Sequence, residues 1–350
     1  MKTMVMRLRA LLLRDCAKLQ GGVVAAPKYR FVSLMESLLN LARQQGKIVA
    51  CIFAVSLVGL TVFGTTLPAA VFSPPNFVLI RGGDFLMGSP VSEVGRDNYK
   101  IMNFQGNESQ HQVRVSDFYM SKYAVTVADF KKFIDESGYR TDAENWGGSV
   151  IFSDGSPRFK AEVNWNQGVS GIVRTSAEEN HPVVHVSWHD AAAYCEWMSK
   201  KTGKLYRLPT EAEREYACRA GSRTAFNTGE NITTAQANYN GNYPYNNNEK
   251  GLYRENTVPV DTFAPNAWGL YNMHGNVWEW CSDWYGGSYY DECRKARIVA
   301  NPTGPENGSY RVLRGGGWGD EAKNCRSAYR HYPTPDYRSY SVGFRVVIVP

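Results

Sequence analysis

HPVVHVSWHDAAAYCEWMSKKTGKLYRLPTEAEREYACRAG, residues 181–221, carries the clearest helix signals in the chain. Val183 to Val186 is a short run, apolar except for His185. Trp188, Ala192, Cys195 and Met198 follow at helical spacing, and Gly203 ends that helix, because glycine takes the left-handed cap without steric cost. Leu208-Pro209 leads into Thr210-Glu211-Ala212-Glu213, a capping box. There the Thr210 side chain accepts from an orphan N–H while Glu213 reaches back to the Thr210 N–H. The second helix is predicted to run to about Arg219, before Gly221. His181, His185 and His189 are spaced by four, but the spacing crosses from a predicted strand into a helix. They are therefore read as structural rather than as metal ligands.

Upstream, Phe77 to Ile80 reads as a strand ended by Gly82-Gly83, and His111 to Met120 as another. Thr126 caps a helix, VADFKKFIDESG, with Val127, Phe130, Phe133 and Ile134 on one face and Gly138 as its stop. Residues 139–180 are polar and Gly-rich and are predicted to be long irregular loop. Residues 227–256, rich in Asn, Gly and Tyr, should be coil held by side-chain hydrogen bonds. Downstream, Asn276–Trp280, Tyr310–Arg314 and Phe344–Ile348 are short strand candidates. No repeat is visible, and strands do not alternate with long helices, which argues against a doubly wound sheet. The fold class is α+β, with little regular secondary structure.

The 350 residues carry a formal net charge of +6. Much of it lies in residues 1–47, where nine Lys or Arg face only Asp15 and Glu36. The remainder is near neutral, so no nucleic-acid partner is expected. Residues 48–67, IVACIFAVSLVGLTVFGTTL, are uncharged and long enough to cross roughly 30 Å of hydrocarbon. Arg43 and Lys47 before the span keep the N-terminus cytoplasmic and export the rest. The reading is a basic cytoplasmic segment (1–47), a transmembrane helix or signal anchor (48–68), a linker (69–75) and a domain (76–349) facing the periplasm or cell surface. Pro68-Ala69-Ala70 leaves anchor and cleaved signal both open, and Met35 is an alternative start. The domain holds five cysteines, Cys195, Cys218, Cys281, Cys293 and Cys325, an odd number in a compartment that permits disulfides.

Five stretches resemble the formylglycine-generating-enzyme, or sulfatase-modifying-factor, family. They are MGSP (87–90), the quoted 181–221 block, NAWGLYNMHGNVWEWCSDWY (266–285), RVLRGGGWGDEAKNCRSAYR (311–330) and SVGFRVV (341–347). The resemblance implies a single compact domain related to the C-type-lectin fold. Arg214 departs from it, standing where the family's helix usually has an aromatic. Family enzymes oxidise a sulfatase cysteine to formylglycine with O2 and a copper(I) ion held by two cysteines. Residue by residue, the second ligand falls on Cys325, the first on Asp320, and the usual turn serine on Gly317. Carboxylate is a poor exchange for thiolate on soft Cu(I), so the copper site is incomplete and copper-dependent formylglycine generation is not expected. Asp320, Cys325 and Trp278 are the candidate catalytic residues. A disulfide between Cys281 and Cys325, both in matching blocks, is one option; a plain buried thiol is the other.

The resemblance also implies structural calcium at the 272–279 loop. Its ligands would be the Asn272 and Glu279 side chains and the Gly275 and Val277 carbonyls, all hard oxygens. A second site would use Asn238 and the Tyr239 carbonyl, but its acid falls on Leu252, leaving Glu249 or Glu255 as substitutes. Residues 328–347 mix Tyr with small polar residues, a composition suited to contact at low entropic cost. Tyr329, His331, Tyr332, Tyr337 and Tyr340 are the candidate ligand-binding residues. Two functions remain open. One is an extracytoplasmic modifying enzyme or oxidoreductase acting on a peptide or a small-molecule thiol or amine. The other is a non-catalytic lectin-fold module that binds a protein or ligand through the Tyr-rich face.

Overall fold

The two helices of the 181–221 block form where their caps place them. In this computed structural model, residues 74–96 and 108–350 are described. The basic segment 1–47 and the expected span 48–68 lie outside them. Among the described residues no helix is long and apolar enough to cross a membrane. Ser73–Pro350 forms one compact unit.

The strands β1 (Phe77–Ile80), β2 (Gly83–Met87), β3 (His111–Val115) and β4 (Phe118–Ser121) precede the first helix among the described residues, α1 (Val127–Ser137). Gly82-Gly83 does end β1, but Gly83 also opens β2. The stretch predicted as one strand from His111 to Met120 breaks at Ser116-Asp117 into β3 and β4. Each half enters a different sheet: β3 pairs with β2, and β4 with β1. Thr126 caps α1 through the Asp129 N–H, and Gly138 closes it at φ 67°.

The expectation of an irregular 139–180 fails in part. A one-turn helix, α2 (Asp142–Asn145), is followed by a hairpin of β5 (Gly148–Ser153) and β6 (Ser156–Ala161). Asp154-Gly155 makes its two-residue turn with φ of 55° and 74°, the left-handed pair that suits strand twist.

The block 181–221 gives α3 (Trp188–Thr202), β7 (Tyr206–Arg207) and α4 (Glu211–Arg219). The Thr210–Glu213 capping box forms, and α4 buries every residue but Tyr216. Residues 227–256 contain no helix or strand. Then come β8 (Trp278–Trp284), α5 (Tyr289–Lys295), β9 (Val299–Ala300), β10 (Arg311–Arg314), β11 (Arg330–His331), β12 (Val342–Gly343) and β13 (Val347–Ile348).

One sheet runs β1-β4-β13-β7 and a second β11-β10-β8-β12. The second positions the candidate residues. Leu313 faces both Trp280 and His331 in register, and Arg314 faces both Glu279 and Arg330. Side chains alternate along strands. Trp278, Trp280, Leu313 and His331 therefore share one face, and Glu279, Arg314 and Arg330 the other. The first face joins the main apolar core with Phe130, Tyr194 and Phe344. The second meets α4.

Candidate functional site

A glycine turn, 315–317, stands at the junction of the two faces. Gly315 and Gly316 have φ of 103° and 75°. A Cβ on Gly316 would sit 2.5 Å from the Cys325 sulfur, and one on Gly317 would crowd Asp320, Ser341 and Trp278. The absence of a side chain at 317 is what lets Asp320 reach the indole. Its Oδ2 accepts from Trp278 Nε1 at 2.8 Å and from the Gly317 N–H at 3.0 Å. Burial raises the Asp320 carboxyl above its ordinary range, against the opposing pull of these bonds.

Cys325 is fully buried beside Phe226, Tyr239 and Tyr245. Its thiol donates to the Glu321 carbonyl at 3.9 Å, and burial pushes it well above the usual thiol range, so it stays protonated. A carboxyl already bonded to an indole, in place of a second thiol, does not fit a soft Cu(I) ion. All five described cysteines are free. Of the two options for Cys325 the plain buried thiol is the one found: Cys281 lies on β8, whereas Cys325 packs in the separate cluster under residues 225–245. Among the described residues no group of three or more His, Cys, Asp or Glu could hold a metal. The three spaced histidines go separate ways, to Thr257, to Ser149 with the Gly168 carbonyl, and to Asp142.

The candidate ligand-binding residues divide. His331 and Tyr329 lie against Trp278 at 5.6 and 6.0 Å between ring centres. Tyr332 continues this edge, stacked on Tyr285 at 3.7 Å and flanked by Tyr310. Tyr332 and Tyr310 are 37% and 45% exposed, large rings left open to solvent. Tyr340 joins a second group with Phe152 and Trp318, and Tyr253 stacks on that Trp318. Tyr337 packs on the main core instead. The sequence did not single out Phe152, Tyr253, Tyr285 or Trp318; the glycine-turn motif 315–318 was the one signal that pointed at Trp318.

The 272–279 loop is held by left-handed residues, Asn272, Gly275 and Asn276, at φ of 49°, 77° and 68°. Asn272 Oδ1 is buried without a partner, as is Asn238 Oδ1, while the Gly275 carbonyl accepts from the Val277 N–H at 3.0 Å. Leu252, at the second site's acid position, is 59% exposed. The carboxylate of Glu279 is engaged. Arg214 Nε donates to Oε2 at 2.7 Å, Arg345 Nε to the same oxygen at 2.6 Å, and Arg345 Nη2 to Oε1 at 2.8 Å. Burial alone would raise the Glu279 carboxyl, but the two guanidiniums outweigh it and hold it below its ordinary value. Arg345 was not singled out in the sequence, and its place in SVGFRVV was the available signal.

Comparison with known proteins agrees with this architecture. The family model described as "Sulfatase-modifying factor enzyme 1-like domain" matches residues 62–349. The formylglycine-generating enzyme of Bos taurus is 35% identical over 306 residues, covering 80% of this chain and 76% of that protein. A mouse relative named inactive C-alpha-formylglycine-generating enzyme 2 is 34% identical, covering 77% of this chain and 85% of its own. Among solved structures, PvdO from Pseudomonas aeruginosa is 30% identical with a TM-score of 0.61, covering 78% of this chain and 94% of that one.

Proposed function

The chain belongs to the sulfatase-modifying factor enzyme 1-like family, and from that premise we propose that it binds and modifies a peptide or metabolite along the Trp278 edge. The observation that carries this reading is the Asp320–Trp278–His331 arrangement beside the exposed Tyr310 and Tyr332 rings. The rings offer stacking area to a ligand. Asp320, with its raised carboxyl, and His331 supply two groups able to exchange protons on either side of one indole. Copper-dependent formylglycine generation is not part of the proposal, because Asp320, tied to Trp278, stands where a second thiolate would be needed.

The domain acts outside the cytoplasm, anchored by residues 48–68. A chain lacking residues 1–72 should leave the membrane fraction, and its retention there would contradict the anchor. Binding without chemistry is the second reading, and the missing copper-ligand cysteine at position 320, where Asp320 stands, favours it.

The test uses the full chain in detergent, incubated with a low-mass envelope extract and followed by mass spectrometry. Modification predicts molecules that disappear and reappear at a new mass with the wild-type chain and not with Trp278→Ala. Retention that Tyr332→Ala weakens, with no mass change, selects the binding module. No retention and no conversion overturns both.

A further inference from the structure

Calcium favours six to eight hard oxygens, with carboxylate charge to balance its own. In the 272–279 loop the one carboxylate is Glu279, fully buried and accepting three charge-assisted hydrogen bonds from two arginines. The same guanidiniums also collect the loop's carbonyls. Arg214 Nη2 donates to the Met273 carbonyl at 3.0 Å, and Arg345 Nη2 to the Tyr271 carbonyl at 2.9 Å. Arg345 Nη1 reaches the Ser121 and Lys122 carbonyls, tying the loop to the end of β4. Gly315 makes room for Arg214: a Cβ there would lie 2.9 Å from its Nη2. Two cationic groups thus face one anion in a site closed to water, and a divalent cation added beside them would be repelled.

We propose that Arg214 and Arg345 do the work of a cation in this loop, so that its fold does not depend on calcium. The inference stands apart from the proposed function, since it concerns the far face of the sheet. It accounts for Arg214, the helix position that departs from the family pattern. An arginine is reach plus charge, and from α4 it delivers a permanent positive group to the loop's oxygens. The unpartnered Asn272 Oδ1 is the side-chain oxygen of the implied calcium set that is still free. A single amide oxygen does not replace a carboxylate for calcium.

The experiment compares thermal unfolding of the full chain in detergent, chelator-treated and with calcium added, for wild type, Asn272→Ala and Arg214→Leu. Terbium luminescence serves as a direct probe of the loop. The proposal expects no terbium site that Asn272→Ala abolishes, and a wild-type midpoint that chelation shifts by less than about 2 °C through this loop. Calcium dependence that persists in Asn272→Ala places the ion elsewhere and leaves the proposal standing. A calcium-dependent rise of about 5 °C or more in wild type that Asn272→Ala removes overturns it. Arg214→Leu should lower the midpoint by about 10 °C, the loss expected on breaking a buried pair. If that variant does not fold, the wild-type and Asn272→Ala comparison decides alone.

Discussion

Trp278 and Glu279 are neighbours on β8 and point to opposite faces of one sheet, and the two faces are built on opposite principles. On the Trp278 face, rings pack into the apolar core around a single carboxyl whose ionisation burial discourages. On the Glu279 face, ions are buried outright. Arg330 binds Glu211 at 2.5 Å, Arg314 binds Glu211 and Glu215, and Arg219 binds Glu215 at 2.9 Å, all under α4. Removing ions from water costs several kcal/mol each, so such a face holds only while every charge keeps its partners. The difference separates roles that the primary sequence interleaves residue by residue. The exposed Tyr310 and Tyr332 rings at the rim can be altered without collapsing the domain, which is what a binding edge requires. The ion face cannot.

The largest effect should come from the ion face. Glu279→Leu leaves two buried guanidiniums without their anion and should cost about 4 kcal/mol or prevent folding. Denaturant unfolding of the full chain checks it, and a loss under about 1 kcal/mol would erase the contrast.

Acid is a finer probe, because a third region answers to it first. His185 is fully buried, donating from Nε2 to the Gly168 carbonyl and accepting from Ser149 at Nδ1, and burial lowers its pKa to about 4. Its folded value lies below its unfolded one, so the unfolded chain takes up the proton first. The associated stability is complete above about pH 6.5 and fades as pH falls toward 4, a loss of about 3 kcal/mol. Glu279, also depressed, contributes stability that is present above its unfolded value and lost only at more acid pH. As pH falls from 7 to 4, wild type should therefore lose about 3 kcal/mol more than His185→Gln, against the opposite trend from the raised Asp190 and Asp283 carboxyls, and Arg214 variants should keep that difference. Parallel profiles for wild type and His185→Gln would contradict this assignment.

Asp320 has the opposite sign. Its folded value is raised, so its contribution is complete below the unfolded carboxylate range and declines as pH rises through the folded value. The Trp278 indole resonance, bonded to Asp320, should report that titration. Trp278→Phe removes the indole N–H and should cost about 1–2 kcal/mol, well short of Glu279→Leu. The smallest effect belongs to Tyr332→Ala, within about 0.5 kcal/mol in stability because the ring is exposed. Equal losses at Glu279 and Tyr332 would show that the buried ions and the exposed rings do not differ as described.

The local half of this architecture was legible. Gly138, Gly203 and the Thr210–Glu213 box fix helix ends through bonds within a few residues, and β1 reads from its own run. The 148–161 hairpin was missed because polar composition masked the Asp154-Gly155 turn. The pairings of β13 with β4 and of β12 with β8 join distant segments, which no local pattern encodes. At the site, the sequence marked Asp320, Gly317 and Arg214 as departures from a family pattern. It could not say what they do, since Trp278, Glu279 and the Met273 carbonyl meet them only in three dimensions. Tyr337 shows the converse: its composition suited a binding surface, and packing against the core claimed it.

This family domain keeps the scaffold, while Asp320, bonded to Trp278 and the Gly317 N–H, stands where a copper ion would need its second thiolate. Cu(I) titration of the reduced full chain against a competing chelator tests it most directly, with Cys325→Ser alongside. The account predicts no stoichiometric tight binding and the same isotherm for both proteins. One equivalent of tightly held Cu(I) that Cys325→Ser abolishes would contradict it.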